Sequence, residues 1–235
     1  MILLSGGEGL LAKELYSYGF NNNLFFKSMN RLNLDITRPE YWPMQELKPV
    51  TLIVHCAAFT DLVRAEKEKD LCYQTNVIGT RNVASLGIPM IYISTEYVFD
   101  GEKGSYAEED YPNPINYYAF TKLLGEYEAR RTKSVVIRCL FKPRPFKHDA
   151  CCNDMLTSGD YVERIAPEIA LAIKNFDKLP PILHIGTGKK KLIDLARETR
   201  EVKEIKTSDV RGVRLPIDTS LNCNLWNKLK ESFND

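Results

Sequence analysis

Short apolar, β-branched runs recur along the chain, each followed by a turn and a stretch of helical periodicity. Residues 2–5, 24–27, 51–58, 90–93, 134–140 and 182–186 read as buried strands. Helical spacing of apolar positions predicts helices through Leu15 and Tyr18, over 71–86, from Ile115 onward, over 167–176 and over 190–200. Asp35 or Thr37, ahead of Pro39, is placed to cap a further helix containing Tyr41 and Leu47. Strands alternating with helices predict an α/β fold with a doubly wound parallel sheet, whose ligands lie at the carboxyl ends of the strands.

Two stretches add chemistry to that frame. After the first strand, Gly6-x-x-Gly9 leads through Leu10 and Leu11 into a helix, the arrangement that turns free backbone N–H groups and a helix dipole toward a pyrophosphate. Ser94-Thr95 falls where the fourth strand ends, so a hydroxyl there faces the crevice. Tyr118 and Lys122 then share one helix face, and Tyr118 is the only tyrosine in the chain with a lysine four residues on. An ammonium one turn from a phenol favours the phenolate and lowers the tyrosine pKa, while the lysine can also hold a nicotinamide ribose. The spacing alone is weak, since about one such pair is expected from composition.

A longer run raises its weight. STEYVFDG, AEEDYPNPIN and YAFTKLLGE resemble the extended short-chain dehydrogenase/reductases, and within them the dTDP-4-dehydrorhamnose reductase family. The resemblance implies a Rossmann sheet and a catalytic triad of Thr95, Tyr118 and Lys122. It implies cofactor contacts from Gly6, Gly9, Leu10, Leu11, Asp35 and Ile36. Further contacts would come from Ala57, Ala58, Phe59 and Thr60 in the HCAAFT run, and from Ile93, Tyr118 and Lys122. Thr95, Glu96 and Phe141 would meet the substrate, with Phe141 standing where the family has a tryptophan. Asn76, in an Asn-x-x-Gly stretch, reads as a functional buried polar group facing the sheet or as a structural hydrogen bonder, and His55 reads as a core or strand-end histidine rather than a catalyst. Lys142, Arg144, Lys147 and His148 lie close enough in sequence to Phe141 to meet a nucleotide diphosphate, or to form a solvated basic loop.

The second strand carries no acid at its end. Lys27 and Arg31 there suit a 2′-phosphate, so NADPH is the expected cofactor, with NADH the alternative. Expected domains are a dinucleotide-binding unit over 1–141 and a reduced substrate lobe over 142–235, interleaved with the last strands and helices of the sheet. Length and 44% hydrophobic content suffice for one sizeable core, and a net charge of +1 gives no electrostatic case for nucleic acid or membranes. Six cysteines without a Cys-x-x-Cys pair argue against a zinc site or a disulfide framework, so no metal is expected. A reducing, cytoplasmic compartment follows from that and from the absence of a leader-like or membrane-spanning run.

The activity implied is reduction of a 4-keto-6-deoxy nucleotide sugar. A homodimer and an epimerase partner are compatible with it. Two other functions share the motifs. A nucleotide-sugar epimerase or dehydratase would use the same fold, although dehydratases carry Thr-Asp-Glu where this chain has Thr95-Glu96-Tyr97. The β subunit of methionine adenosyltransferase shares the STEYVFDG-like block and binds NADP without needing turnover.

Overall fold

In a computed structural model that describes residues 1–233, the apolar runs form one six-stranded sheet. Its strands are β1 (Ile2–Ser5), β2 (Phe26–Met29), β3 (Leu52–His55), β4 (Met90–Thr95), β5 (Ser134–Cys139) and β6 (Ile182–His184). All neighbours are parallel, in the order β6-β5-β4-β3-β1-β2. A parallel sheet must be covered on both faces, which is why β3 and β4 are buried along their whole length and read as continuous apolar runs rather than alternating ones.

Alternate residues of each strand enter different cores. Leu4, Val54, Ile91 and Ile137 pack with Leu11, Leu15, Ile165, Ile169 and Trp226. Leu3, Ile53, Met90, Tyr92 and Val136 pack with Val83 and Ala129. The first core is covered by α1 (Leu10–Asn21), α5 (Val162–Lys174) and α7 (Asn224–Ser232). The second is covered by α3, a continuous run made of Lys69–Tyr73, Gln74–Ile78 and Gly79–Ala84, and by α4 (Tyr117–Ala129). A short α2 (Leu62–Lys67) precedes α3, and α6 (Leu192–Arg197) belongs to the later part of the chain.

Several predicted boundaries move. The edge strand β2 begins two residues later than 24–27, and Phe25 stays 79% exposed. With only β1 beside it, an aromatic pair at an edge carries little burial signal. Asp35 does not cap a helix: its Oδ1 accepts the Thr37 N–H and hydroxyl in a local turn, followed by Pro39–Tyr41 and the single turn Met44–Leu47. The helix expected from Pro167 starts five residues earlier, at Val162, so the proline is internal and the Glu163 carbonyl loses its i+4 partner. Burial of Val162, Ile165, Ala166 and Ile169 outweighs that loss.

After β5 the chain alternates between sheet and lobe. Phe141–Lys142 pairs with Asp160–Tyr161, Ala150–Cys152 with Lys203–Ile205, and Leu156–Thr157 with Lys190–Lys191. In between, β6 returns to extend the main sheet beside β5. The strand order reverses between β1 and β3, and this switch point sets where the crevice opens.

Candidate active site

The crevice begins at the β1–α1 turn. Gly6 has φ +71°, and a Cβ there would lie 2.7 Å from the Ala57 backbone. Glycine is therefore required both by conformation and by the close approach of the loop after β3. Gly9 stands at the helix N-cap with no side-chain cap, leaving the first-turn N–H groups of α1 directed at the crevice. One half of the crevice, about 320 Å³, is lined by Gly6, Gly9, Asp35, Ile36, Ala57, Ala58 and Phe59, all of which the sequence singles out for the cofactor. Burial raises the Asp35 carboxyl, but hydrogen bonds from Thr37 and the Arg31 guanidinium hold it below its ordinary value overall.

The two expected phosphate cations differ. Arg31 lines this half and is 75% exposed. Lys27 does not line it; its ammonium is 2.5 Å from Glu46, so the pairing of Lys27 with a 2′-phosphate is withdrawn. Arg64, which the motifs did not mark, also lines the half and lies 5.1 Å from the centre of the Phe59 ring.

Asn76 explains how the loop after β3 is held. Its Oδ1 accepts the Phe59 N–H at 2.7 Å, and its Nδ2 donates to the Phe59 carbonyl at 3.1 Å and the Thr121 hydroxyl at 2.9 Å. The residue lies in the widened turn Gln74–Ile78, which the even helical pattern of the sequence conceals. His55 is a core residue between the Ser5 and Thr80 hydroxyls, and burial pushes its imidazole down to about 3.

The second half, about 330 Å³, shares Gly9, Cys56 and Ala58 with the first, so the two adjoin across these residues. It brings together Thr95, Tyr118, Lys122, Ile93 and Phe141, with Leu10, Leu11 and Thr60 at the junction. Asn116 caps α4 by accepting the Ala119 N–H at 2.9 Å, which places Tyr118 in the first turn and Lys122 one turn below. Lys122 donates to the Ile93 carbonyl at 2.7 Å and sits 4.1 Å from the Tyr92 ring centre. Burial pulls its ammonium down to about 8.

The shared helix face does not lower the tyrosine pKa. Burial pushes the Tyr118 phenol up, opposed by the Thr95 hydroxyl beside it, while the ammonium is turned under the helix toward β4. Tyr118 is thus a protonated acid at neutral pH. Tyr97 and Lys142 also line this half. The motifs treated Tyr97 only as a replaced carboxylate.

Glu96 does not reach the crevice, so its expected contact with substrate is corrected. The Thr95 Oγ1 accepts the Tyr97 N–H at 3.2 Å and starts the tight turn Glu96–Val98, which directs Thr95 and Tyr97 to the crevice and Glu96 under the lobe. There Glu96 is fully buried, and its Oε1 accepts the Thr157 and Thr219 hydroxyls at 2.6 and 2.7 Å. Its Oε2 has no partner, and burial raises the carboxyl to about 7. A raised acid favours the protonated folded state, so Glu96 costs stability as pH rises from about 4.5 to about 7. Glu96→Gln is expected to flatten that part of the pH–melting-temperature curve, raising the melting point more at pH 7.5 than at pH 5, as read by calorimetry.

Beneath the catalytic strand lies a buried ion pair. Arg138 on β5 meets Glu126 on α4 through Nε at 3.0 Å and Nη2 at 2.8 Å, with side-chain exposures of 2% and 5%. Ser94, next to Thr95, donates to Glu126 Oε1 at 2.6 Å. No cluster of three metal-ligating side chains and no membrane-crossing helix occurs among the described residues.

A model of the RmlD substrate binding domain family matches residues 1–141. The bovine (Bos taurus) methionine adenosyltransferase 2 subunit beta is 35% identical over 141 residues, covering 53% of this chain and 41% of that protein. A dTDP-4-keto-6-deoxy-D-glucose reductase of Streptomyces niveus is 34% identical over 130 residues, covering 53% and 45%. These matches thus span less than half the length of either relative. Structural likeness extends further. The crystal structure of a hypothetical dTDP-4-dehydrorhamnose reductase from Sulfolobus tokodaii superposes with TM-score 0.83 at 28% identity, covering 97% of this chain and 94% of that one. The Bacillus anthracis dTDP-4-dehydrorhamnose reductase in complex with NADP gives TM-score 0.80 at 25% identity, covering 97% and 91%.

Proposed function

Because the chain belongs to the RmlD substrate binding domain family, as its STEYVFDG and YAFTKLLGE runs imply, we propose that it is an NADPH-dependent reductase of a 4-keto-6-deoxy nucleotide sugar. The observation that carries this reading is the meeting of Thr95, Tyr118 and Lys122 in a cavity that Gly9 of the glycine turn also lines. The residues fit a dinucleotide: the cradle between Gly6 and Ala57 has no room for a Cβ, and the N-terminus of α1 is uncapped. NADPH, when bound, supplies the hydride. NADP in the Bacillus anthracis reductase and the exposed Arg31 at the adenine half favour NADPH over NADH.

In this reading Tyr118 delivers the proton to the carbonyl oxygen, and its raised pKa keeps that proton available at neutral pH. Thr95 hydrogen-bonds the same oxygen. Lys122, anchored on the Ile93 carbonyl, holds the nicotinamide ribose. Phe141 and Tyr97 offer apolar faces to the sugar. A tyrosine at 97 leaves no carboxyl in the crevice for a dehydratase's elimination, which argues against that chemistry. An epimerase partner that supplies the keto sugar and a homodimer are both compatible with this activity.

The identity to methionine adenosyltransferase 2 subunit beta favours a second reading, an NADP-binding regulatory subunit without turnover. The two separate on one assay: loss of reduced-nicotinamide absorbance with dTDP- and UDP-linked 4-keto-6-deoxy sugars. Oxidation of NADPH is the expected result. Tight NADPH binding with no oxidation on any of these sugars would overturn the reductase in favour of the subunit.

A further inference from the structure

Lys142 is the one lysine besides Lys122 that lines the catalytic half of the crevice. It follows Phe141 in the two-residue strand paired with Asp160–Tyr161, so its backbone is held on the lobe side of the cavity. The neighbouring cations are engaged elsewhere. Arg144 meets Glu163 at 2.7 Å, Arg164 meets Asp160 at 2.9 Å and Glu198 at 2.8 Å, and Lys190 meets Asp160 at 2.7 Å. Lys142 forms no salt bridge among the described residues. The carboxylate whose field it feels is Glu96, yet Glu96 Oε1 is taken by two threonine hydroxyls and Oε2 has no hydrogen-bond partner, Lys142 included. Desolvation also weakens the ammonium relative to an exposed lysine.

A half-buried ammonium that lines a cavity without a salt-bridge partner is free to meet a ligand anion there. The cofactor's pyrophosphate has its own cradle at Gly6, Gly9 and the start of α1, where backbone N–H groups supply the donors, whereas Lys142 comes from the strand paired with Asp160–Tyr161. We propose that Lys142 is a substrate-binding residue that contacts the diphosphate of the nucleotide-sugar substrate, beside the aromatic faces of Phe141 and Tyr97. This rests on the reductase reading for the identity of the substrate, but its test does not require turnover.

The experiment is calorimetric titration of the full-length, NADP-saturated protein with UDP and with dTDP, in wild type, Lys142→Met and Lys142→Arg. Loss of a charge-assisted contact predicts a fall in nucleoside diphosphate affinity of roughly ten- to a hundredfold in Lys142→Met, with most of it retained in Lys142→Arg. NADP affinity should not change, and the Lys142→Met melting temperature should stay close to that of wild type, because Lys142 makes no salt bridge among the described residues. An unchanged UDP and dTDP affinity would overturn the proposal. So would a loss of NADP affinity of the same size, which would assign the ammonium to the cofactor. A Lys142-dependent nucleotide affinity in a protein that turns over no keto sugar would sink the reductase and leave this contact standing.

Discussion

Tyr118→Phe is expected to reduce NADPH oxidation by about a hundred- to ten-thousandfold while leaving the dissociation constant for NADPH unchanged. Removal of a positioned general acid has effects of that order. The ring keeps its packing in the cluster around Tyr97, Ala119 and Leu140, so only the hydroxyl is lost. Cofactor affinity is the internal control, since the glycine turn and the Ile93-anchored Lys122 are untouched. Stopped-flow oxidation and fluorescence titration of NADPH measure the two quantities. A variant that kept wild-type turnover would remove Tyr118 from the chemistry.

The second large effect concerns stability. Arg138→Met should lower the free energy of unfolding by about 3–5 kcal/mol, the usual cost of leaving one buried charge without its partner. Glu126 would then keep only the Ser94 hydroxyl, in a setting where its side chain is 5% exposed. Domains are stable by roughly 5–15 kcal/mol, so the loss is a large share of the total. Urea denaturation should show it as a lower midpoint. The double variant Glu126→Gln/Arg138→Met should recover part of the loss, because neither charge remains. A single variant as stable as the wild type would mean that the pair carries no net desolvation debt.

Much of this architecture was legible because it obeys local rules. The β1–α1 glycine turn, the strand end at Thr95 and the helix carrying Tyr118 and Lys122 each follow from residue type and spacing, and the structure places all of them on one crevice. What was hidden depends on direction and distance. Helical spacing puts Tyr118 and Lys122 on one face, but it does not say that the ammonium turns toward the Ile93 carbonyl. The family resemblance implied that Glu96, beside Thr95, also meets the substrate. A tight turn sends the two side chains apart, and the partners of Glu96 lie far along the chain. Lys27 looked available for a phosphate because Glu46, its partner, is 19 residues away. Pro167 reads as a helix start by composition, and only the burial of Val162 and Ile165 reveals the turn ahead of it.

The reach of Glu96 bears on the order in which the molecule assembles. Its hydrogen bonds close loops of 61 residues to Thr157 and 123 residues to Thr219. Chain closure becomes costlier with length, and contacts remote in sequence form late unless local structure has already brought their ends together. The glycine cradle, by contrast, joins Gly6 to Ala57 within the first three strands. The nucleotide-holding half can therefore be complete while the lobe is still undocked. Seating Thr157 and Thr219 on Glu96 then docks the lobe against the turn that follows Thr95, a contact between distant parts of the chain that is expected to form late and to be given up when the lobe undocks.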